Sequence, residues 1–137
     1  MNRDVLNPSA IIRGTMELRL FPDRMTVCKV DSADRIDLSG ELIFIGKTDD
    51  EISLVSPTCN VPDRTLCRED GWRIFRIQGK LDFSLIGIIA GISSVLAREG
   101  IVIFVVSTYD TDYFMVKEEQ LERACDSLMS EGYTILR

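Results

Sequence analysis

Ser107, Thr108, Tyr109, Asp110, Thr111 and Asp112 make a run of hydroxyls and carboxylates at the end of an apolar strand. Upstream, Leu81-Asp82-Phe83-Ser84 leads from an acidic turn into an amphipathic helix. The first turn of a helix presents N–H groups without intrahelical partners at the positive end of its dipole, a setting that attracts a carboxylate. A side-chain carboxylate attracts an ammonium group. Held on one rim of a sheet, the two features would grip opposite ends of a zwitterionic small molecule. The helix entrance offers Asp82, Ser84, Leu85, Ile86 and Gly87, and the strand end offers Thr108, Tyr109, Asp110 and Asp112. In that arrangement Asp112 pairs with an α-ammonium, the Thr108 hydroxyl adds an acceptor, and Gly87 lets backbone and ligand approach closely. A ligand with so few heavy atoms binds in the micromolar to millimolar range.

Other readings of the same residues stay open at this point. Asp110 and Asp112 suit a solvated hairpin turn, Ser84 an ordinary helix cap, Gly87 helix–sheet packing and Tyr109 a cover for the core. The Asp-x-Asp spacing also occurs in metal sites, but no further ligand set or nucleotide motif accompanies it. The chain has no histidine, which excludes Ser-His and Cys-His catalysis. Its four cysteines, Cys28, Cys59, Cys67 and Cys125, show no C-x-x-C spacing and read as reduced thiols. Neither a metal nor another cofactor is expected.

Among 137 residues, 22 acids against 16 bases give a net charge of -6, so attraction to nucleic acid or an anionic membrane is not expected. A hydrophobic fraction of 45% is that of a globular chain. No apolar run approaches the roughly 20 residues that cross a bilayer, and the first residues lack the apolar centre of a signal peptide. A cytoplasmic protein is the expectation.

The elements that must position the polar run can be read from periodicity. In the first half, short strands are expected at Met16–Phe21, Met25–Val30, Leu42–Ile45 and Ile52–Val55, broken at Pro22-Asp23, Leu38-Ser39-Gly40 and Thr48-Asp49-Asp50. Thr48-x-x-Glu51 has capping-box spacing and suggests one helical turn before the last strand. The composition of Val61 to Gly71 marks a connection. Trp72–Ile77 then reads as a strand. Leu85, Ile88, Ile89, Ile92, Val95 and Leu96 share one helical face, with Asp82 or Ser84 as cap and Gly100 as stop. Ile101–Val106 and Tyr113–Val116 read as strands. A second helix opens at Lys117-Glu118-Glu119, carries Leu121, Ala124, Cys125 and Leu128 on one stripe and stops before Gly132, and Tyr133–Leu136 closes the chain. This β-α-β-β-α-β order is a ferredoxin-like α+β plan. A faint repeat also links Thr48–Val55 with Tyr109–Val116, an acidic turn followed by an apolar strand, and suggests two related halves.

Leu81-Asp82-Phe83-Ser84-Leu85-Ile86-Gly87, Gly100-Ile101-x-Ile103-Phe104 and Ser107 through Glu119 together resemble the ACT domains of small bacterial tandem-ACT proteins. The segment is also similar to the terminal ACT domain of CASTOR-type arginine sensors and, more distantly, to aspartokinase regulatory domains. The opening Leu18-x-Leu20-x-Pro22-Asp23-Arg24-Met25 looks like the start of the same small proteins. On that resemblance, residues 1–15 are an N-terminal extension, 16–70 a degenerate, strand-rich ACT-like unit and 71–137 a full ACT domain.

The resemblance implies a non-catalytic module that binds a free amino acid between ACT units and reports it to a protein partner. In the sensors the ligand is held by the loop entering the first helix, here Asp82, Ser84 and Leu85, and by a Thr-[Phe/Tyr]-x-x-Asp element, here Thr108, Tyr109 and Asp112. Asp82 stands where the sensors commonly carry a small residue. A homodimer is the implied assembly. The alternative function is a structural interaction module that dimerises through its sheets and takes no small molecule. An enzyme ranks last, because only Asp82, Asp110, Asp112, Ser84 and Thr108 are on offer as catalytic groups.

Overall fold

The computed structural model describes residues 16–78 and 87–137. Its strands are β1 (Glu17–Val30), β2 (Phe44–Lys47), β3 (Ile52–Pro57), β4 (Cys67–Ile77), β5 (Phe104–Ser107), β6 (Asp112–Lys117) and β7 (Thr134–Leu136). Two helices, α1 (Ile88–Arg98) and α2 (Leu121–Ser130), complete the α+β architecture that the sequence pattern predicts. The chain divides into two compact units. One joins the described residues up to Pro22 to Ile74–Arg137, and the other is Asp23–Arg73.

In the first unit the strand order is β7-β1-β4-β6-β5. The start of β1 runs parallel to β7, with Leu18 beside Ile135, and Gln78 N–H donates to Glu17 O at 3.0 Å on the β4 side. Periodicity alone does not show that β1 separates β4 from β7. One face of this sheet carries Leu18, Leu20, Phe75, Ile77, Phe114 and Val116, and both helices lay their apolar stripes on it. The stripes are those the spacing predicts: Ile88, Ile92, Val95 and Leu96 on α1, and Leu121, Ala124, Cys125 and Leu128 on α2. At the centre, the rings of Phe75 and Phe114 stack with centroids 4.7 Å apart.

Both helices end as their glycines predict. Gly100 N–H donates to Ala97 O and Ile101 N–H to Leu96 O, each at 3.0 Å. Gly132 and Tyr133 repeat the pattern onto Met129 O and Leu128 O at 3.0 and 3.1 Å. These paired bonds satisfy carbonyls that the last turn would otherwise leave open, and the residue after each glycine turns back into the core. The second helix starts later than expected, since Glu118–Gln120 form a separate 3-10 turn ahead of Leu121.

In the second unit β2 and β3 form a hairpin, and β3 pairs antiparallel with the end of β1, Cys28 opposite Leu54. Cys28, Val30 and Leu54 make its core, with Ile36, Ile43, Ile52 and Val61 packed around them. Two expectations fail here. Thr48 does not start a helical turn: its hydroxyl accepts from the N–H of Asp50 and of Glu51 at 3.1 and 3.2 Å, and Thr48 N–H closes a hairpin on Glu51 O at 2.9 Å. Cys67–Gly71 belongs to a strand, not to a connection; Cys67 to Asp70 are exposed and carry no apolar alternation to betray it.

β1 also passes through Pro22 without the expected break. Its ladders with β7 and β3 run from Glu17 to Arg19 and from Met25 to Val30, so Pro22 falls between them, where its missing N–H takes nothing from either. All four cysteines are free thiols, Cys28 and Cys125 buried, Cys59 and Cys67 exposed. Burial pushes the Cys28 thiol up, which keeps it protonated.

The two units do repeat in structure, but one residue out of step with the faint sequence match, so that Thr48 corresponds to Thr108 and not to Tyr109. β2, β3 and the 3-10 turn Thr58–Asn60 recur at a constant spacing as β5, β6 and the turn Glu118–Gln120. Both hairpins close in the same way, Thr48 N–H on Glu51 O and Thr108 N–H on Thr111 O, each at 2.9 Å. What distinguishes the second unit is the loss of helix. A 3-10 turn, Ala33–Arg35, follows its first strand where the other unit has α1, and no helix follows Asn60 where the other has α2.

Candidate functional site

The residues singled out for ligand chemistry fall in the first unit at two places. Gly87 is the N-cap of α1, with φ 85° and ψ 0°. Asp82, Ser84, Leu85 and Ile86 lie outside the described residues. The helix therefore begins at Ile88, later than the expected Leu85, and its N-cap is Gly87 instead of Asp82 or Ser84. A left-handed residue cannot continue an α-helix toward the N-terminus, so the glycine sets the boundary. Gly91 N–H donating to Gly87 O at 2.8 Å is the first helical bond. The cap has no side chain to accept from the first-turn N–H groups, and that turn carries no acid. Neither the cap residue nor the first turn therefore supplies a side-chain acceptor to its positive end.

A β-carbon added at Gly87 would meet nothing within 4 Å. The requirement is therefore on the backbone alone. Gly87→Ala is expected to destabilise the protein by about 1 to 2 kcal/mol through the positive φ, as measured by urea unfolding.

The second place is the β5–β6 hairpin. Its strands run in register from Phe104 opposite Met115 to Ser107 opposite Asp112, so Asp112 is the first residue of β6. Thr108 closes the turn: its hydroxyl donates to Thr111 O at 3.0 Å and accepts from Thr111 N–H at 3.4 Å. Tyr109 is 83% exposed and does not cover the core. Asp110 is exposed at the tip, whereas Asp112 is half-buried.

Sequence reasoning overlooked the role of Thr111. It is buried, and its hydroxyl donates to Ile77 O at 2.8 Å. Ile77 is the last residue of β4, the strand that feeds the segment entering α1. One buried hydrogen bond thus fastens the acidic hairpin to the strand that leads to the helix mouth. The available signal was a β-branched hydroxyl residue closing an otherwise charged turn, a position at which a solvated loop gains nothing from such a side chain.

Residues 68–130 match the model of the ACT domain family. Over a longer span the chain is 31% identical to the Agobacterium tumefaciens protein Atu0741, whose crystal structure superposes at TM-score 0.78 over 88% of this chain and 92% of that one. The chain belongs to the ACT-domain family. Two more distant structures share the fold of this ACT-domain protein. A Vibrio cholerae protein described as of unknown function and a possible transport protein is 19% identical, with TM-score 0.69 over 90% of this chain and 96% of that one. The ligand-free regulatory subunit of Thermus thermophilus aspartate kinase is 11% identical, with TM-score 0.60 over 85% and 97%. No functionally curated protein matches the ACT-domain chain. Among the described residues, no helix is long and apolar enough to cross a membrane, and no group of acids and cysteines could hold a metal ion.

Proposed function

We propose that this ACT-domain chain is a non-catalytic regulatory module that binds a free amino acid. The α-carboxylate sits on the N–H groups that open α1, beside Gly87, and Asp112 receives the α-ammonium. The observation that carries this reading is the Thr111 bond to Ile77 O, which ties the acid-bearing hairpin to the strand leading into the helix. Asp82, Ser84, Leu85 and Ile86 belong to the proposed site through the family resemblance, as does closure of its far side by another ACT unit. Thr108 acts mainly by shaping the turn, since its hydroxyl is already engaged with Thr111. Tyr109 and Asp110, at the exposed tip, are placed to contact whatever covers the site.

A ligand that binds only the folded state raises apparent stability with its concentration, so the test is a thermal-shift screen of the common amino acids. At least one should stabilise the wild type at micromolar to millimolar concentration, and Asp112→Ala should abolish that shift while the unliganded protein melts as before. An undiminished shift in Asp112→Ala removes this residue from the site. Failure of every amino acid overturns the reading.

A second reading is favoured by the first unit's edge. Strand β5 ends its sheet, with Val105 and nearby Val102 exposed, as in a module that pairs sheets with a second copy. A concentration-dependent dimer by light scattering, lost in Val105→Lys and indifferent to every amino acid, would select it.

A further inference from the structure

The second unit holds a cleft that the amino-acid reading does not use. Where a full unit lays two helices on its sheet, this one has the 3-10 turns Ala33–Arg35 and Thr58–Asn60. These short segments leave a cleft of about 540 Å³, lined by Arg35, Asp37, Asn60, Asp63 and Arg64 with Val61 among them. Val61 of the lining, and Ile36, which stands between Arg35 and Asp37 in sequence, pack against the unit's core.

The cationic groups of the cleft are underused. Arg35 bonds Asp31 through Nε alone, at 2.6 Å, so its two terminal nitrogens have no partner among the described residues. Arg64 is close enough to help hold the Asp31 carboxyl below its usual range, after the larger effect of Arg35. It makes no hydrogen bond or ion pair with any described residue. Two guanidinium groups with open N–H forks therefore border one concavity, in a chain whose net charge is -6. Such forks match the paired oxygens of a carboxylate or phosphate. The acids of the cleft limit what can enter. Asp37 accepts from Ser39 N–H through one oxygen, and Asp63 has no partner among the described residues. Together they disfavour polyanions and suit a ligand that carries a single oxyanion or an amine beside it.

We propose that this cleft is a second ligand site, which takes a small molecule by an oxyanion held between Arg35 and Arg64. The site is independent of the hairpin and α1, and it stands or falls apart from amino-acid binding there. Carboxylate and phosphate share the recognition chemistry, and separate probes distinguish them.

The experiment is an NMR titration of the isotope-labelled full chain with acetate and, separately, with inorganic phosphate. One probe should move the amides of Arg35, Ile36, Asp37 and Asn60 through Arg64 along a saturating curve, and that probe names the oxyanion. Arg64→Gln should weaken it by about tenfold or more, the loss expected for a charge-assisted hydrogen-bond pair. Arg98→Gln, which changes net charge equally but lies in the other unit beside Glu131, should leave it unchanged. Equal weakening by both substitutions would mean diffuse charge attraction and would overturn the proposal. So would the absence of saturable shifts with either probe, or binding that survives Arg64→Gln intact.

Discussion

Phe114→Ala is expected to destabilise the protein by about 3 to 5 kcal/mol, a large share of the stability of a domain this size. The ring is fully buried on β6, and it stacks on Phe75 of β4 at 4.7 Å with planes 5° apart. Both helices rest on the same layer, so Ile92 and Leu96 of α1 and Leu128 of α2 cannot all follow a retreating side chain. Truncation leaves a cavity among close-packed neighbours, and the lost transfer free energy adds to the cavity term. Urea unfolding should show the midpoint falling steeply. Tyr109→Ala, on the exposed hairpin tip, should change stability by no more than about 0.5 kcal/mol. If the two substitutions proved comparable, the helix-on-sheet core described for the first unit would be wrong.

Thr111→Val should have the second largest effect, about 1 to 3 kcal/mol, although it barely changes side-chain volume. Valine keeps the branched shape but removes the hydroxyl that donates to Ile77 O, and the carbonyl is left without that bond in a buried position. The hairpin would still close, because Thr108 N–H bonds to the Thr111 carbonyl, which the substitution retains. Its attachment to β4 would be weakened. On the proposed function, the variant should therefore lose much of its response to the bound amino acid even well below its melting temperature. Asp126→Ala, on the exposed face of α2, offers the contrast, with stability and ligand response both near those of the wild type. A stable Thr111→Val variant with full ligand response would show that the buried bond positions nothing.

Where one side chain faces the core and the next faces water, the chain declares its structure. The α1 and α2 stripes, the stop glycines Gly100 and Gly132 and the apolar residues Phe114 and Val116 were all legible for that reason. Cys67–Gly71 was not, since the exposed residues that open this strand have no alternation to read. The continuity of β1 through Pro22 depends on where its neighbouring ladders end, which no local signal encodes. The same is true of β1 lying between β4 and β7, a matter of long-range pairing. At the candidate site the chemical groups could be named from sequence, whereas their fastening could not. Gly87 was expected inside the first turn but serves as the left-handed cap, and Thr111 was passed over in favour of its charged neighbours. Glycine and threonine at these positions act through backbone geometry, which residue type alone signals weakly.

The central claim is that the mouth of α1 and the acid of the β5–β6 hairpin serve one ligand. Amide chemical-shift mapping tests it most directly, using the amino acid that stabilises the protein most in the thermal screen. The account predicts that the N–H signals of Ile88, Ile89 and Ala90 move together with those of Thr111 and Asp112, along a single binding curve, and that Asp112→Ala silences both sets. Shifts confined to one of the two places, or two sets titrating with different midpoints, would contradict it.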